Sequence, residues 1–172
     1  MFSSIDHINI VVKDLEAMVR FYTESLGLKV TKRVTISGEW IDRTVGLSGA
    51  KGEVVYLDLP AGPRIELIRY VSPPGARPAG LELSNTIGIR HMAFRVDDIE
   101  VAVQRLRDAG VHFLSDVQLV PDSQVTYAGG VRKRLVYFRD PEGNLLELCE
   151  YRAEVPTQKQ TQRHRDAEMR QQ

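Results

Sequence analysis

Ile5-Asp6-His7-Ile8-Asn9-Ile10-Val11-Val12-Lys13-Asp14-Leu15-Glu16 returns later in the chain as Ile89-Arg90-His91-Met92-Ala93-Phe94-Arg95-Val96-Asp97-Asp98-Ile99-Glu100. A second pair of segments matches too, Ile65-Glu66-Leu67-Ile68-Arg69-Tyr70 with Leu146-Glu147-Leu148-Cys149-Glu150-Tyr151. Each copy opens on a histidine and closes on a glutamate. The chain therefore reads as two modules, each holding one imidazole and one carboxylate on equivalent segments. If the modules pack about a pseudo-twofold axis, His7, Glu66, His91 and Glu147 converge, and such a donor set suits a divalent transition metal.

Working outward from the repeat, His7 to Val12 is a β-branched apolar run, and Asp14 stands where a helix N-cap is wanted. Leu15, Met18, Val19, Tyr22 and Leu26 keep helical spacing up to Gly27. The second copy predicts a strand over Ile89 to Val96, a cap at Asp98 and a helix ending at Gly110. Three more strands follow in each module: Leu28 to Ser37, Glu53 to Leu59 and Arg64 to Tyr70, then Val111 to Leu119, Lys133 to Arg139 and Asn144 to Tyr151. Pro60-Ala61-Gly62-Pro63 and Asp140-Pro141-Glu142-Gly143 supply the turns. The expected class is α+β, with βαβββ modules over residues 4–70 and 87–152 and a Pro/Gly-rich linker over 71–86. Residues 153–172 are polar, with the composition of a frayed tail. Gly38 to Gly52 interrupts the first module; Trp40, Ile41, Val45 and Leu47 there predict a short helix, which either seals a sheet edge or covers a substrate.

Strand parity places the four candidate ligands on one surface. His7, Asn9 and Val11 alternate with Ile8, Ile10 and Val12, and Glu66 alternates with Ile65 and Leu67. The same split separates His91 and Arg95 from Met92 and Phe94, and Glu147 from Leu146 and Leu148. The aliphatic sets suit the helix side, which leaves the His and Glu side chains on the opposite, concave face. Buried carboxylates at symmetric positions are costly unless a cation relieves them.

Composition narrows the partners. Lys plus Arg and Asp plus Glu each number 23, giving no net charge to attract nucleic acid or anionic lipid. A small-molecule substrate fits better. Cys149 is the only cysteine, so no intrachain disulfide is available, and its strand position reads as a small buried hydrophobe. The first strand begins within a few residues of Met1, and no apolar run is long enough for a membrane span, so a cytoplasmic location is expected.

The His7/His91 and Glu66/Glu147 strands, with the turn Arg139-Asp140-Pro141-Glu142-Gly143-Asn144, resemble the vicinal oxygen chelate superfamily. That superfamily includes glyoxalase I, methylmalonyl-CoA epimerase, extradiol dioxygenases and bleomycin-resistance proteins. The resemblance spans about residues 4 to 151 and implies paired βαβββ modules forming an open half-barrel cup. It also implies one divalent metal ion, Ni, Co, Zn, Mn or Fe, held by His7, Glu66, His91 and Glu147. Glyoxalase I resembles this chain in its His, Glu, His, Glu set.

Four protein ligands leave two positions on an octahedral metal for a substrate carbonyl, whose neighbouring C–H becomes acidic. A carboxylate then moves the proton: Glu147 by analogy, with Glu66 its counterpart. A lyase, isomerase or epimerase is expected. The alternatives are an Fe(II) extradiol-type dioxygenase, which a fourth ligand would crowd, and a non-catalytic binding or resistance protein. Asn9, Arg64, Tyr70, Arg95, Tyr151 and Trp40 are the candidates for holding substrate, with Tyr127 beside them. Glyoxalase I carries an arginine where this chain has Val11, so glutathione hemithioacetal is not the expected substrate. A homodimer is expected, with the modules pairing within a chain or between chains.

Overall fold

The computed structural model describes residues 2–153. Its elements run β1 (His7–Val11), α1 (Leu15–Arg20), β2 (Lys29–Ser37), α2 (Glu39–Val45), β3 (Lys51–Asp58), β4 (Arg64–Ser72), β5 (His91–Arg95), α3 (Ile99–Asp108), β6 (Gln118–Leu119), β7 (Val131–Arg139) and β8 (Leu145–Ala153). Two four-stranded sheets result, ordered β1-β4-β3-β2 and β5-β8-β7-β6. In each, the first strand runs parallel to the last strand of its module and the others are antiparallel. The βαβββ unit thus occurs twice. β1 and β5 are edge strands, each with one side unpaired.

α1 and α3 each start where a capping aspartate precedes them. The Ala17 N–H donates to Asp14 Oδ1 at 3.0 Å, and the Glu100 and Val101 N–H groups donate to Asp98 Oδ1. α1 runs on through a π-helical turn over Phe21–Ser25, and Gly27 then leaves it at φ 80°, as Gly110 does after α3 at φ 81°. Only glycine takes that backbone without strain.

One strand differs from expectation. β6 is reduced to Gln118–Leu119 plus an isolated bridge between Phe113 and Phe138. Ser115 and Gln118 turn their side chains onto the Asp116 carbonyl, competing with ladder bonds across the expected span Val111 to Leu119. The tail expected over residues 153–172 lies outside the described residues, apart from Ala153 at the end of β8.

The parity reading holds. Ile65, Leu67, Leu146 and Leu148 join Met18, Tyr22, Ile99, Val103 and Phe138 in one core shared by both modules. The buried apolar residues outside it are Ile41, Ala50, Val54, Ile68, Leu145 and Cys149. By register Val54 and Ile68 lie on the Glu66 face, and Leu145 and Cys149 on the Glu147 face. Ile41 on α2 and Ala50 after it are also buried, and α2 packs beside β2, an edge strand of the first sheet.

Polar bonds lock one module onto the other. The Lys13 and Asp14 N–H groups donate to Glu142 Oε1 at 2.8 and 2.7 Å. The fully buried Tyr22 hydroxyl donates to Asp140 Oδ2 at 3.2 Å. Asp140 also accepts the Glu142 and Asn144 N–H groups and the Asn144 side-chain amide, which shapes the β7–β8 turn. Burial raises the Asp140 carboxyl above its usual range, against the pull of these donors. Tyr22→Phe removes one buried hydrogen bond and keeps the ring. It is expected to cost about 1 kcal/mol, read as a lower urea midpoint with an unchanged slope.

Candidate metal centre

β4 lies beside β1 with Glu66 opposite Asn9, and β8 lies beside β5 with Glu147 opposite Ala93. That register brings each histidine to the glutamate of its own module. His7 Nε2 is 3.5 Å from Glu66 Oε2, and His91 Nε2 is 3.2 Å from Glu147 Oε2. Ligands about 2.1 Å from a metal and at right angles stand about 3 Å apart, so both pairs suit shared coordination. His7 Nδ1 bonds Asp6 Oδ2 at 2.8 Å; with Nδ1 as the donor, the Nε2 lone pair faces Glu66.

The neighbours of the carboxylates show further repetition. Tyr56 on β3 stands opposite Glu66, and Tyr137 on β7 stands opposite Glu147. A hydrogen bond to Glu66, with burial behind it, pushes the Tyr56 phenol up to about 12. Burial first, and Glu147 second, raise Tyr137. The tyrosine rings also meet the histidines, edge-on for His7 and Tyr56 with centroids 6.4 Å apart and tilted for His91 and Tyr137 at 5.1 Å. Each module therefore holds a His, Glu, Tyr cluster. The tyrosines were legible as Val55-Tyr56-Leu57 repeating in Val136-Tyr137-Phe138; read only as strand filler, they were missed.

The clusters are not copies in every respect. Asn9 Nδ2 donates to Glu66 Oε2 at 2.7 Å, whereas Ala93 stands at the matching place in module two. Lys133 Nζ lies 2.7 Å from Glu147 Oε1, whereas its counterpart in module one is Gly52, opposite Tyr70 as Lys133 is opposite Tyr151. Glu147 is 2% exposed and Glu66 14%. Lys133 is thus the partner of Glu147 Oε1, and Oε2 is the oxygen turned to His91. A buried carboxylate with one oxygen beside an imidazole nitrogen is placed to share a metal with it, so the chemistry of the site fits the implied ion. Burial works against the Lys133 ammonium, and Glu147 outweighs it, leaving the lysine more basic than usual.

Within one chain the two clusters stay apart. Among the described residues, no three His, Cys, Asp or Glu side chains gather closely enough to hold one metal ion. A cleft of about 1240 Å³ runs beside β1 to the start of β5, and it includes Asn9, Tyr70 and His91 in its lining but not His7, Glu66 or Glu147. It is not where those four side chains meet. The chain carries two separate His, Glu pairs.

The other candidates are spread over both concave faces. Arg95 stacks over Tyr151 at 5.4 Å and meets no carboxylate among the described residues, while Tyr127 packs edge-on against Tyr151. Arg64 lies over Tyr56 and is drawn to Asp58, with Nε 3.3 Å from Oδ1. Tyr70 shares the Glu66 face, and Trp40 is exposed on α2. Val11, where glyoxalase I has its arginine, is approached by the linker: a Cβ on Gly75 would sit 3.2 Å from Val11 Cγ1. Cys149 is buried, and burial pushes its thiol up.

Residues 4–148 match the profile of the Glyoxalase/Bleomycin resistance protein/Dioxygenase superfamily. The chain belongs to that superfamily. A glyoxalase family protein from Bacillus cereus, known from its crystal structure, is 32% identical with a TM-score of 0.73, covering 88% of this chain and 95% of that one. A 2-epi-5-epi-valiolone epimerase from an Actinomyces species is 30% identical over 163 residues, 92% of this chain and 85% of the relative. An ethylmalonyl-CoA/methylmalonyl-CoA epimerase from Cereibacter sphaeroides is 29% identical over 114 residues, 66% of this chain and 76% of its own. Superfamily members typically use a divalent metal. Among the described residues of this member, no helix is long and apolar enough to cross a membrane.

Proposed function

We propose that this protein is a divalent-metal-dependent isomerase of the epimerase type, acting by proton abstraction beside a carbonyl. The observation that carries the reading is the duplicated His and Glu pair, each with Nε2 and Oε2 turned to one another. Two relatives named as epimerases support the choice among superfamily chemistries. The implied cation would be held by His7 and Glu66 of one module and His91 and Glu147 of another. Once bound, it supplies Lewis acidity that makes the C–H beside a substrate carbonyl removable. Glu147, enclosed at 2% exposure, takes and returns that proton. Arg95, with no carboxylate partner among the described residues, holds an anionic group of the substrate on the same strand face as His91.

The assembly we propose is a homodimer in which module one of each chain faces module two of its partner. Each half-site supplies two of the four ligands and lies beside an edge strand with an unpaired side. The residues leading into those strands are exposed and apolar at matching positions, Ile5 at 68% and Ile89 at 87%, with Ile87 and Phe2 nearby. A second copy covers this surface and completes two sites at once.

Elemental analysis of anaerobically purified protein, combined with proton-exchange assays in deuterated water on cyclic hydroxyketones and acyl thioesters, tests the function. One equivalent of metal per chain, and deuterium entering beside the carbonyl only in the metal-loaded protein, is the expected result. Protein that neither contains nor takes up any divalent cation would overturn it.

A further inference from the structure

The internal repeat supplies its own control, because each residue around Glu147 has a counterpart around Glu66. Two of those counterparts differ in kind. In module one the carboxylate has a neutral side-chain amide, Asn9, and nothing at Gly52, where Ile36 and Ile68 leave a Cβ only 3.2 to 3.4 Å of room. In module two the amide is absent at Ala93, and an ammonium, Lys133, reaches the carboxylate from the Gly52-equivalent position. The lysine side chain is 17% exposed and lies over the Tyr151 ring at 5.8 Å. It is thus enclosed on the same face as the metal-ligand candidates.

A neutral amide on one oxygen leaves the charge of Glu66 available to a metal. An ammonium on Glu147 Oε1 competes for that charge and weakens ligation through Oε2, since a lysine and a divalent cation sharing one carboxylate repel each other in a poorly screened setting. We propose that Lys133 is a positioning residue that draws Glu147 off the metal, making Glu147 the carboxylate that moves and leaving Glu66 as the permanent ligand. This rests on the proposed metal site, whose failure is read separately. Lys133 thereby separates two glutamates that the repeat makes formally equal, and it touches the reaction only through Glu147.

Two measurements test this, both on full-length protein with Ni²⁺, Co²⁺ and Zn²⁺ as probes. The first compares metal affinity, by competition with a chromophoric chelator, in wild type, Lys133→Gln and Lys133→Arg. Lys133→Gln gives Glu147 the kind of neutral donor that Glu66 already has, so the buried carboxylate keeps a partner. It is expected to bind metal about tenfold or more tightly than wild type. Lys133→Arg, which retains the charge, is expected to stay near wild type. The second needs no variant: amine acetylation of wild type, followed residue by residue by mass spectrometry, is expected to leave Lys133 as slowly labelled with metal as without it. Glu147 that stays with Lys133 keeps the amine covered while Glu66 holds the metal. Unchanged or weaker binding by folded Lys133→Gln, or Lys133 labelling that rises when metal is added, would overturn the proposal. Wild type that binds no metal would instead overturn the metal site.

Discussion

Glu147→Gln is expected to lower the rate of carbonyl-adjacent proton exchange by about a thousandfold or more while the protein stays folded and still takes up metal. The carboxylate is 2% exposed, with His91 on one oxygen and Lys133 beside the other. A glutamine there keeps a carbonyl oxygen for the lysine or for a metal but has no basic lone pair for a substrate proton. Glu66→Gln should behave differently, weakening metal uptake, because Glu66 carries the charge that no ammonium offsets. The two variants together separate proton transfer from ligation. Wild-type exchange by folded, metal-loaded Glu147→Gln would remove that glutamate from the chemistry.

Ile5→Lys combined with Ile89→Lys is expected to convert a dimer into a monomer and to reduce metal from one equivalent per chain to nearly none. Both side chains are largely exposed in the single chain, so lysine there costs the isolated fold little. In the proposed dimer the same positions lie beside the paired β1 and β5 edges, where lysines opposing each other would be desolvated. Sedimentation equilibrium, thermal melting and elemental analysis on one preparation check all three parts. A monomeric variant that still holds a full equivalent of metal would show that one chain can gather the ligands unaided.

Much of this architecture was legible because it is periodic. The alternation of His7, Asn9 and Val11 with Ile8, Ile10 and Val12 assigned faces correctly, and Asp14 and Asp98 cap as their positions imply. That each module carries one histidine and one glutamate on equivalent strands followed from the repeat, whereas their pairing within a module came from strand register; the superfamily match agrees with the resemblance of the motifs. The rest depends on contacts with no periodic signature. Glu142 reaching the Lys13 and Asp14 N–H groups, and Tyr22 reaching Asp140, join distant parts of the chain and fix how the modules pack. A linker over residues 71–86 allows the modules to pair within a chain or between chains, so spacing left that question open. β6 was overread because Val111 to Leu119 has strand composition, while its polar side chains bond locally. Lys133 looked like one more strand lysine until register placed it against Glu147.

In the proposed dimer, one complete metal centre takes half of its ligands from each of two chains. That sharing is tested most directly by mixing. A chain carrying His7→Ala and a differently tagged chain carrying His91→Ala each form homodimers in which every site lacks a ligand. Unfolded, refolded together and purified through both tags, the mixed dimer should regain one intact site, made by the undamaged module of each chain. The predicted result is about half an equivalent of tightly bound metal per chain in the mixed dimer, against almost none in either parent. A mixed dimer as empty as its parents, when wild-type protein refolds and binds metal under the same conditions, would rule out a site shared between chains.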